Sequence, residues 1–170
     1  MVVKVKLEPD DNSAAVDPNK LDLGHTAFFV GRLLNDSIIE SGENEGFLGL
    51  RESHGYVVQH LIESERTITE LAARMRVTQQ AASKAVAELV ELGYLELQTG
   101  RDRREKRVRL SKRGWATVEF ARRARRRLGA RLRRAVGEDE YEHARLVLVR
   151  CLKVLGGVAK IRGRRFPQPR

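Results

Sequence analysis

Apolar residues between positions 68 and 89 recur with the spacing of two short amphipathic helices. The two stripes consist of Ile68, Leu71, Ala72 and Met75, and of Ala82, Ala85, Val86 and Leu89. Thr67 stands three residues before Glu70, the capping-box spacing in which each side chain satisfies a free backbone N–H of the other residue. Thr78 can cap the second helix, and only Arg76 and Val77 separate it from the first. The pattern predicts two helices joined by a tight turn.

After the second helix, apolar and polar residues alternate with a period of two. Gly93 suits the left-handed position that closes a helix, and residues Tyr94 to Gln98 and Arg107 to Leu110 alternate apolar and polar side chains as strands do. The segment from Thr99 to Lys106 is too polar to be buried. Together these segments predict a β-hairpin with an exposed loop.

Longer helices are predicted on both sides of this unit. One runs from Leu21 to about Glu40 and is ended by the segment SGENEG at 41–46, and a second runs from about Glu52 to Glu63. Two apolar stripes nearer the carboxyl end have heptad-like spacing, which is typical of helices that pack on a partner. They consist of Val118, Ala121, Leu128, Leu132 and Ala135, interrupted by Arg125, and of Tyr141, Ala144, Leu148, Cys151, Leu155 and Val158.

The order of elements predicts a mostly α fold with a small β-hairpin wing, an α+β arrangement in which a winged helix-turn-helix domain is flanked by dimerisation helices. The expected divisions are a flexible arm at 1–19, an N-terminal dimerisation helix and loop at 20–46, the winged helix-turn-helix at 47–113, C-terminal dimerisation helices at 114–160 and a basic disordered tail at 161–170. A chain of 170 residues is short for two independent globular domains.

The distribution of charge adds a polyanionic partner to this picture. The chain has a formal charge of +10 and a pI near 10.3. Sixteen lysines and arginines, against three acidic residues, lie between Arg101 and Arg134, which gives that segment a charge of +13. Cations that bind phosphates release condensed counterions and gain affinity from their release. Double-stranded DNA is therefore the expected partner.

The second helix of the pair has the composition of a base-reading helix. Its non-core face carries Gln79, Gln80, Ser83 and Lys84, and we expect these four residues and the cap residue Thr78 to contact DNA. Glutamine, serine and lysine can form hydrogen bonds with base edges or phosphates in the major groove. Any solvated helix face carries such residues, so the functional interpretation depends on the helix-turn-helix around it.

The hairpin loop supplies the second candidate contact with DNA. It places Arg101, Arg103, Arg104 and Lys106 in a segment suited to the phosphate backbone or the minor groove. Asp102 is expected to orient one of these arginines through an internal ion pair. A solvated charged loop is the alternative interpretation.

From about Phe47 to Gly114, these motifs resemble the MarR family, the multiple-antibiotic-resistance type of transcriptional regulators. The resemblance is carried by the helix-turn-helix stretch TITELAARMRVTQQAASKAVAELVELGYLEL and the wing TGRDRREKRVRLSKRG. The positions that match the family's motifs are Asp102 and Arg104 in the wing, and Leu110, Ser111 and Gly114 in the run that opens the next helix.

One position departs from the family pattern. Ser83-Lys84 stands where the family commonly has Ser-Arg, a change that keeps the charge and loses the bidentate geometry of arginine. The resemblance implies a homodimer, held by the first and last helices, that binds a pseudo-palindromic operator, usually as a repressor released by a small ligand. Two copies would place their recognition helices roughly 34 Å apart, one turn of DNA.

A pocket for such an effector is only weakly indicated by the sequence. His25, Phe28, Phe29, Tyr56 and His60 could line a pocket between the first two predicted helices. Ordinary core packing explains the same residues, and apolar pockets are few in any protein. The existence of a ligand stays open at this point.

Other classes of function find little support. The sequence contains no nucleophile elbow, glycine-rich phosphate loop or catalytic carboxylate pair, so we expect neither an enzyme nor a cofactor. The scattered histidines lack metal-ligand spacing, and the single cysteine, Cys151, lies in an apolar stripe that favours an inert thiol over a redox sensor. The absence of signal-peptide and membrane-span patterns predicts a cytoplasmic protein, associated with the nucleoid when bound to DNA.

A second functional hypothesis rests on the arginine-rich run ARRARRRLGARLRR at 121–134. Charge alone could make the chain a sequence-independent, architectural nucleic-acid-binding protein. Such a protein has no need of a capped helix-turn-helix with a polar reading face, which favours the regulator.

Overall fold

The computed structural model describes residues 16–99 and 106–163. Within these residues the chain forms a 3₁₀ turn, seven α-helices and three short strands. In chain order they are the 3₁₀ turn Pro18–Lys20, α1 Leu23–Asn44, α2 Glu52–Leu61, β1 Arg66–Thr67, α3 Ile68–Met75, α4 Gln79–Glu91, β2 Leu95–Thr99, β3 Lys106–Leu110, α5 Lys112–Val136, α6 Glu138–Val154 and α7 Gly157–Arg162. The predicted class, mostly α with a small β-hairpin, is confirmed.

Two compact units divide the chain between Leu33 and Leu34. In the smaller unit, the Asp22 carboxylate accepts hydrogen bonds from the backbone N–H of His25 at 2.9 Å and pairs with the His25 Nδ1 atom at 2.6 Å. These contacts fix the first turn of α1. Several large apolar side chains of the same unit are exposed, among them Leu23, Phe28, Phe29, Val30 and Leu33.

The sheet of the larger unit holds three antiparallel strands in the order β1-β3-β2. Leu95 pairs with Leu110 and Thr99 with Lys106 in the hairpin, and Arg66 pairs with Val108 on the other side of β3. The sequence did not predict β1, because two residues are too few to show an alternating pattern. The strand ties the start of α3 to the hairpin.

One apolar core joins this sheet to the helices of the larger unit. It contains residues of α2, α3, α4, β2, β3 and the start of α5, so each of these elements packs against several others. The buried members are Val57, Leu61, Leu71, Met75, Val86, Leu89, Tyr94, Leu95, Val108, Leu110 and Val118.

The start of α5 is fixed by a cap and a close backbone contact. The Ser111 hydroxyl accepts a hydrogen bond from the N–H of Gly114 at 3.0 Å and donates one to the Gly93 carbonyl at 2.6 Å. A Cβ atom on Gly114 would lie 2.1 Å from the Tyr94 carbonyl oxygen. Glycine is therefore required at 114 for α5 to pack beside the hairpin.

Tyr94 and Arg113 reinforce the same junction. The buried Tyr94 hydroxyl donates a hydrogen bond to the Leu48 carbonyl at 2.9 Å. The Arg113 guanidinium lies 4.8 Å from the centre of the Tyr94 ring and donates a hydrogen bond to the Gly46 carbonyl at 2.9 Å. The loop before α2 is thus attached to the base of α5.

A second, smaller core explains where α1 ends. The helix ends within SGENEG, as predicted, but α1 continues to Asn44, about one turn beyond Glu40. Gly42 is buried, and a Cβ atom there would lie 3.2 Å from the Phe120 ring. The missing side chain lets the helix pack against Phe120, which lies with Ile38 and Ala124 in this core.

The carboxyl-terminal helices are held differently. Arg133 of α5 pairs with Glu138 and Glu142 of α6, each at 3.1 Å, and lies over the Tyr141 ring at 4.6 Å. The apolar stripe predicted to run to Val158 is interrupted, because Gly156 has a φ of 68° and separates α6 from α7. No residue of α6 is buried.

Candidate nucleic-acid interface

The first helix of the helix-turn-helix begins with the predicted capping box. The Thr67 hydroxyl accepts a hydrogen bond from the N–H of Glu70 at 3.1 Å, and the Glu70 carboxylate accepts one from the N–H of Thr67 at 2.8 Å. The latter bond, chiefly, holds the pKa of the Glu70 carboxyl below its ordinary value. Two of the free donors at the start of α3 are thereby satisfied.

The turn between α3 and α4 depends on a left-handed residue. Arg76 has a φ of 56° and its N–H donates to carbonyls at the end of α3. Thr78 then caps α4, because its hydroxyl accepts a hydrogen bond from the N–H of Ala81 at 3.1 Å. These two residues set the angle at which α4 leaves α3, so the side chain of Thr78 has a structural task.

Helix α4 has one buried and one exposed face. Ala82, Val86 and Leu89 are buried in the core. The residues predicted to read DNA, Gln79, Gln80, Ser83 and Lys84, are all exposed. Their functional groups are therefore free to meet another molecule, and the core behind them fixes the helix that presents them.

The sequence interpretation overlooked two residues on the same exposed side of α4. Ala87 lies four residues after Ser83, and Glu91 follows one turn later; both are exposed. The i+4 spacing from Ser83 could have identified them. Ala87 lets a partner approach the helix backbone, whereas Glu91 places a negative charge where that face ends.

The predicted wing is only partly within the described residues. Its strands are present as β2 and β3, and Lys106 is exposed at the start of β3. Arg101, Asp102, Arg103 and Arg104 lie outside the described residues, so their predicted contacts stay predictions.

The arginines further along β3 are engaged within the chain. Arg109 pairs with Glu96 of β2 at 2.5 Å, and Arg107 lies 3.8 Å from Glu65. These pairs were not predicted from the sequence. They neutralise part of the basic density that the charge count assigned to the hairpin.

A cavity of about 220 Å³ lies between the second half of α1, α2 and α5. Its walls are mainly apolar and include Ile38, Val58 and Phe120, while Arg51, Arg122 and Arg125 contribute cations. An apolar chamber bordered by guanidinium groups suits a small molecule with an apolar body and an anionic group.

A polar contact connects this cavity to α4. Arg51 lines the cavity and its guanidinium also forms an ion pair with Glu88 of α4. The buried His54, another lining residue, accepts a hydrogen bond at Nδ1 from the N–H of Arg51 at 3.3 Å, and its Nε2 lies 3.4 Å from the Glu88 carboxylate. Arg51 and His54 therefore connect the cavity wall directly to the Glu88 side chain of α4.

Burial disfavours the protonated form of this histidine. Desolvation, and secondarily the charge of Arg51, holds the pKa of the His54 imidazole below its ordinary value of 6.5. With Nδ1 acting as an acceptor, the proton of the neutral ring lies on Nε2.

The residues predicted to line a ligand pocket have other surroundings. His25, Phe28 and Phe29 are exposed in the smaller unit. Tyr56 is half-buried and His60 is buried on α2, and neither lines the cavity just described. The lining residues Val58 and His54 lie on the adjacent part of the same helix, which the sequence pattern alone did not distinguish.

Across 16–99 and 106–163, no group of three His, Cys, Asp or Glu side chains is placed to hold a metal ion. In the same ranges no helix is long and apolar enough to cross a membrane. Cys151 is a free, half-buried thiol, and its predicted inertness stays a prediction.

The geometry agrees with comparisons to known proteins. The MarR family model matches residues 48–105, which include α2, α3, α4 and β2. The predicted resemblance to this family is confirmed by that match. No curated protein matches the chain significantly.

Solved structures share the fold at low sequence identity. The YusO protein from Bacillus subtilis is 19% identical, with a TM-score of 0.63, covering 78% of this chain and 93% of its own. A mutant MepR from S. aureus, bound to an oligodeoxyribonucleotide, is 16% identical, with a TM-score of 0.60 and coverage of 80% and 99%. The reduced form of MarR from E. coli is 21% identical, with a TM-score of 0.63 and coverage of 78% and 97%.

Proposed function

Starting from the match of residues 48–105 to the MarR family model, we propose that the protein is a sequence-specific DNA-binding transcription regulator. It acts as a homodimeric repressor of a pseudo-palindromic operator. The observation that carries this proposal is the exposed polar face of α4, which is held by a core on its other side and by caps at Thr67 and Thr78. MepR, of the same fold, has been solved with an oligodeoxyribonucleotide.

The exposed residues of α4 divide into two roles. Gln79 and Gln80 offer a donor and an acceptor together, which matches adenine, and Ser83 adapts to either kind of base edge. Lys84 carries a point charge that suits guanine or a phosphate. The glutamines therefore specify the sequence, and Lys84 contributes mainly to affinity.

The wing contributes contacts with the DNA backbone. Arg101, Arg103, Arg104 and Lys106 supply cations at the end of the hairpin, and Asp102 orients one of the arginines. Such contacts fix register and affinity and carry little sequence information.

Exposed apolar side chains support the homodimer. On α6, Leu148 is 39% and Leu152 is 37% exposed, and Leu155 just after it is 76% exposed. They lie on one side of the helix, and an apolar side of this kind is normally covered by another surface. A second copy, related by two-fold symmetry, covers this apolar side of α6 and places two α4 helices one DNA turn apart.

A small anionic molecule releases the protein from DNA. The cavity holds the apolar body of the effector, and its carboxylate competes with Glu88 for Arg51. Because Glu88 lies on α4, loss of its ion pair changes how firmly the reading helix is held. The shared guanidinium is the observation that supports this coupling.

The central test is a titration with DNA. The DNA upstream of the protein's own gene should bind about 10³-fold more tightly than a random duplex of equal length, with both affinities falling as salt rises. Gln80→Ala should alter the preference at one base position, and Arg104→Ala should weaken binding similarly for all sequences. Equal affinity for both duplexes would instead support the architectural alternative.

The effector hypothesis is tested with benzoate as a simple aromatic carboxylate. Calorimetry should detect its binding to the whole protein, and binding should weaken at least tenfold in Arg51→Gln. Glu52→Gln, a neutralised lining residue without the link to Glu88, is the matched control. Unchanged DNA affinity at saturating benzoate would contradict the coupling.

A further inference from the structure

The arginines of α5 fall into two groups that differ in their surroundings. Nine of the 25 residues of this helix are arginine. Several are engaged within the chain: Arg122 pairs with Glu119 at 2.6 Å, Arg127 with Glu45 at 3.3 Å, and Arg133 with acidic residues of α6. The other arginines of α5 include exposed guanidinium groups that could bind another molecule.

Three of these available arginines form a row that we call the arginine stripe, namely Arg123, Arg126 and Arg134. All three are exposed, and in residues 16–99 and 106–163 none makes an ion pair, hydrogen bond or ring contact. They lie on the side of α5 opposite its buried residues Val118 and Ala124. Packing within the chain therefore does not explain them.

The stripe has the shape of a surface for a long anion. At about 1.5 Å per residue, Arg123 and Arg134 are separated by roughly 16 Å along the helix. Ala130, between them on this side, has a small side chain that keeps the surface low, and Glu119, one turn before Arg123, is paired with Arg122. Over the same length, duplex DNA presents about nine phosphates on its two strands.

The repulsion within the stripe points to a partner that neutralises it. Arg123 and Arg126 are three residues apart, so like charges are neighbours on the helix surface. Arginine forms bidentate hydrogen bonds with phosphate oxygens, which lysine does not. The stripe consists of arginine alone.

We propose that the arginine stripe is a second DNA-binding surface, which holds the phosphate backbone outside the bases read by α4. Only Ser111 separates β3 from α5, so the stripe belongs to the same body as the hairpin. An acidic protein is a poorer fit, because this side of α5 carries no aromatic or large apolar residue between Arg123 and Arg134, and the exposed Trp115 lies two turns before them. The inference rests on the proposed function only in taking DNA as the partner.

The test measures how DNA affinity depends on salt. The full-length triple variant Arg123→Gln, Arg126→Gln, Arg134→Gln is titrated with a random 40-base-pair duplex at several salt concentrations. Three lost phosphate contacts should reduce the slope of log K against log salt by about 2.7 in magnitude. The base preference of α4, measured with a base-substitution series, should not change.

Two matched variants separate local contact from overall charge. The triple arginine-to-lysine variant at the same positions should retain most of the slope. Arg150→Gln, Lys153→Gln, Lys160→Gln removes three exposed cations from α6 and α7 and should change the slope by less than 1. An equal change in both glutamine triples would overturn the inference, since net charge would then explain it.

Other outcomes would also reject a DNA-binding stripe. If the stripe variant keeps its DNA slope and loses affinity for poly-glutamate, the partner is an acidic protein. If sedimentation shows altered assembly, the stripe is a contact between copies. If the unmodified protein binds operator and random DNA equally, the proposed function is refuted. The salt slopes of the variants would still show whether the arginine stripe contacts DNA.

Discussion

The winged-helix unit and the carboxyl-terminal helices treat their apolar residues in opposite ways. From α2 to the start of α5, the apolar stripes meet inside one chain, and Leu71, Leu89 and Val108 are completely buried. In α6 no residue is buried, although its sequence contains an apolar stripe of similar regularity. The first region completes its core alone, whereas the second presents an apolar face to solvent.

The difference shows that a regular apolar stripe does not by itself identify a core. In the winged-helix unit, short helices and the sheet surround each stripe from several directions. Helix α6 packs along α5, where ion pairs of Arg133 join the two helices, and against the short α7. Stability should therefore reside in the first region, and association between copies in the second.

The largest effect is expected from removing a core side chain of the winged-helix unit. Leu71→Ala should lower the free energy of unfolding by about 2–5 kcal/mol, because it leaves a cavity where the side chain is completely buried. Urea denaturation measures the change. Leu97→Ala, at a leucine that is 45% exposed, is the control and should cost less than about 1 kcal/mol. Similar losses of stability in both variants would contradict the claim that buried side chains of the winged-helix unit hold most of the stability.

The opposite pattern is expected for α6. Replacing Leu148 and Leu155 together by glutamate should weaken dimerisation at least about 100-fold, since it buries charges in the interface. Sedimentation equilibrium gives the dissociation constant, and circular dichroism checks that the helices persist. Arg150→Glu, at an exposed polar position on α6, should leave assembly nearly unchanged. A persistent dimer in the double variant would place the interface elsewhere.

The junction between the two regions gives an intermediate effect. Gly114→Ala should destabilise the protein by about 1–3 kcal/mol, because the new methyl group would collide with the Tyr94 carbonyl oxygen. Thermal and urea unfolding both report the loss. Gly31→Ala, where nothing lies within 4 Å, should be neutral or stabilising through helix propensity.

The smallest effect concerns pH. Because the pKa of His54 is lower in the folded protein than its ordinary value of 6.5, the unfolded chain binds more protons as the pH falls through 6.5. Stability contributed by neutral His54 is therefore present above pH 6.5 and lost below it. Unfolding measured between pH 7.5 and about 5.5 should show this slope, and His54→Gln should flatten it.

A histidine of the other region provides the control for this measurement. His143→Gln, at an exposed position on α6, should retain the slope. The carboxyl groups of Asp22, Glu70 and Glu142 have lowered pKa values in the folded protein. The stability that they contribute is therefore lost only at lower pH, as the pH falls below their ordinary pKa values near 4. An unchanged slope in His54→Gln would show that another group titrates there.

Much of the winged-helix unit was predictable, because local signals and packing agree there. The capping box at Thr67, the cap at Thr78 and the left-handed Gly93 each specify a boundary through a short-range hydrogen bond or backbone conformation. The exposed side of α4 also followed from its period. What the period could not supply was the acidic partner of each arginine, since Glu65 and Glu96 reach β3 only in the folded chain.

The cavity was the feature that the sequence predicted least well. Its walls come from three helices far apart in the chain, and its position depends on Gly42 allowing α1 to approach Phe120. A glycine near a helix end normally reads as a terminator, so the pattern favoured a shorter α1. The predicted pocket residue His60 and the cavity-lining His54 both lie on the buried side of α2, so the apolar pattern of that helix does not distinguish them.

The guanidinium of Arg51, shared between the cavity wall and Glu88, has a consequence for dosage. If an effector weakens DNA binding through this side chain, DNA must weaken effector binding by the same factor. A protein seated on a strong operator then responds only to higher effector concentrations than one on a weak operator. Genes with operators of different strength would then be released from repression at different effector concentrations, although one protein and one effector act on all of them.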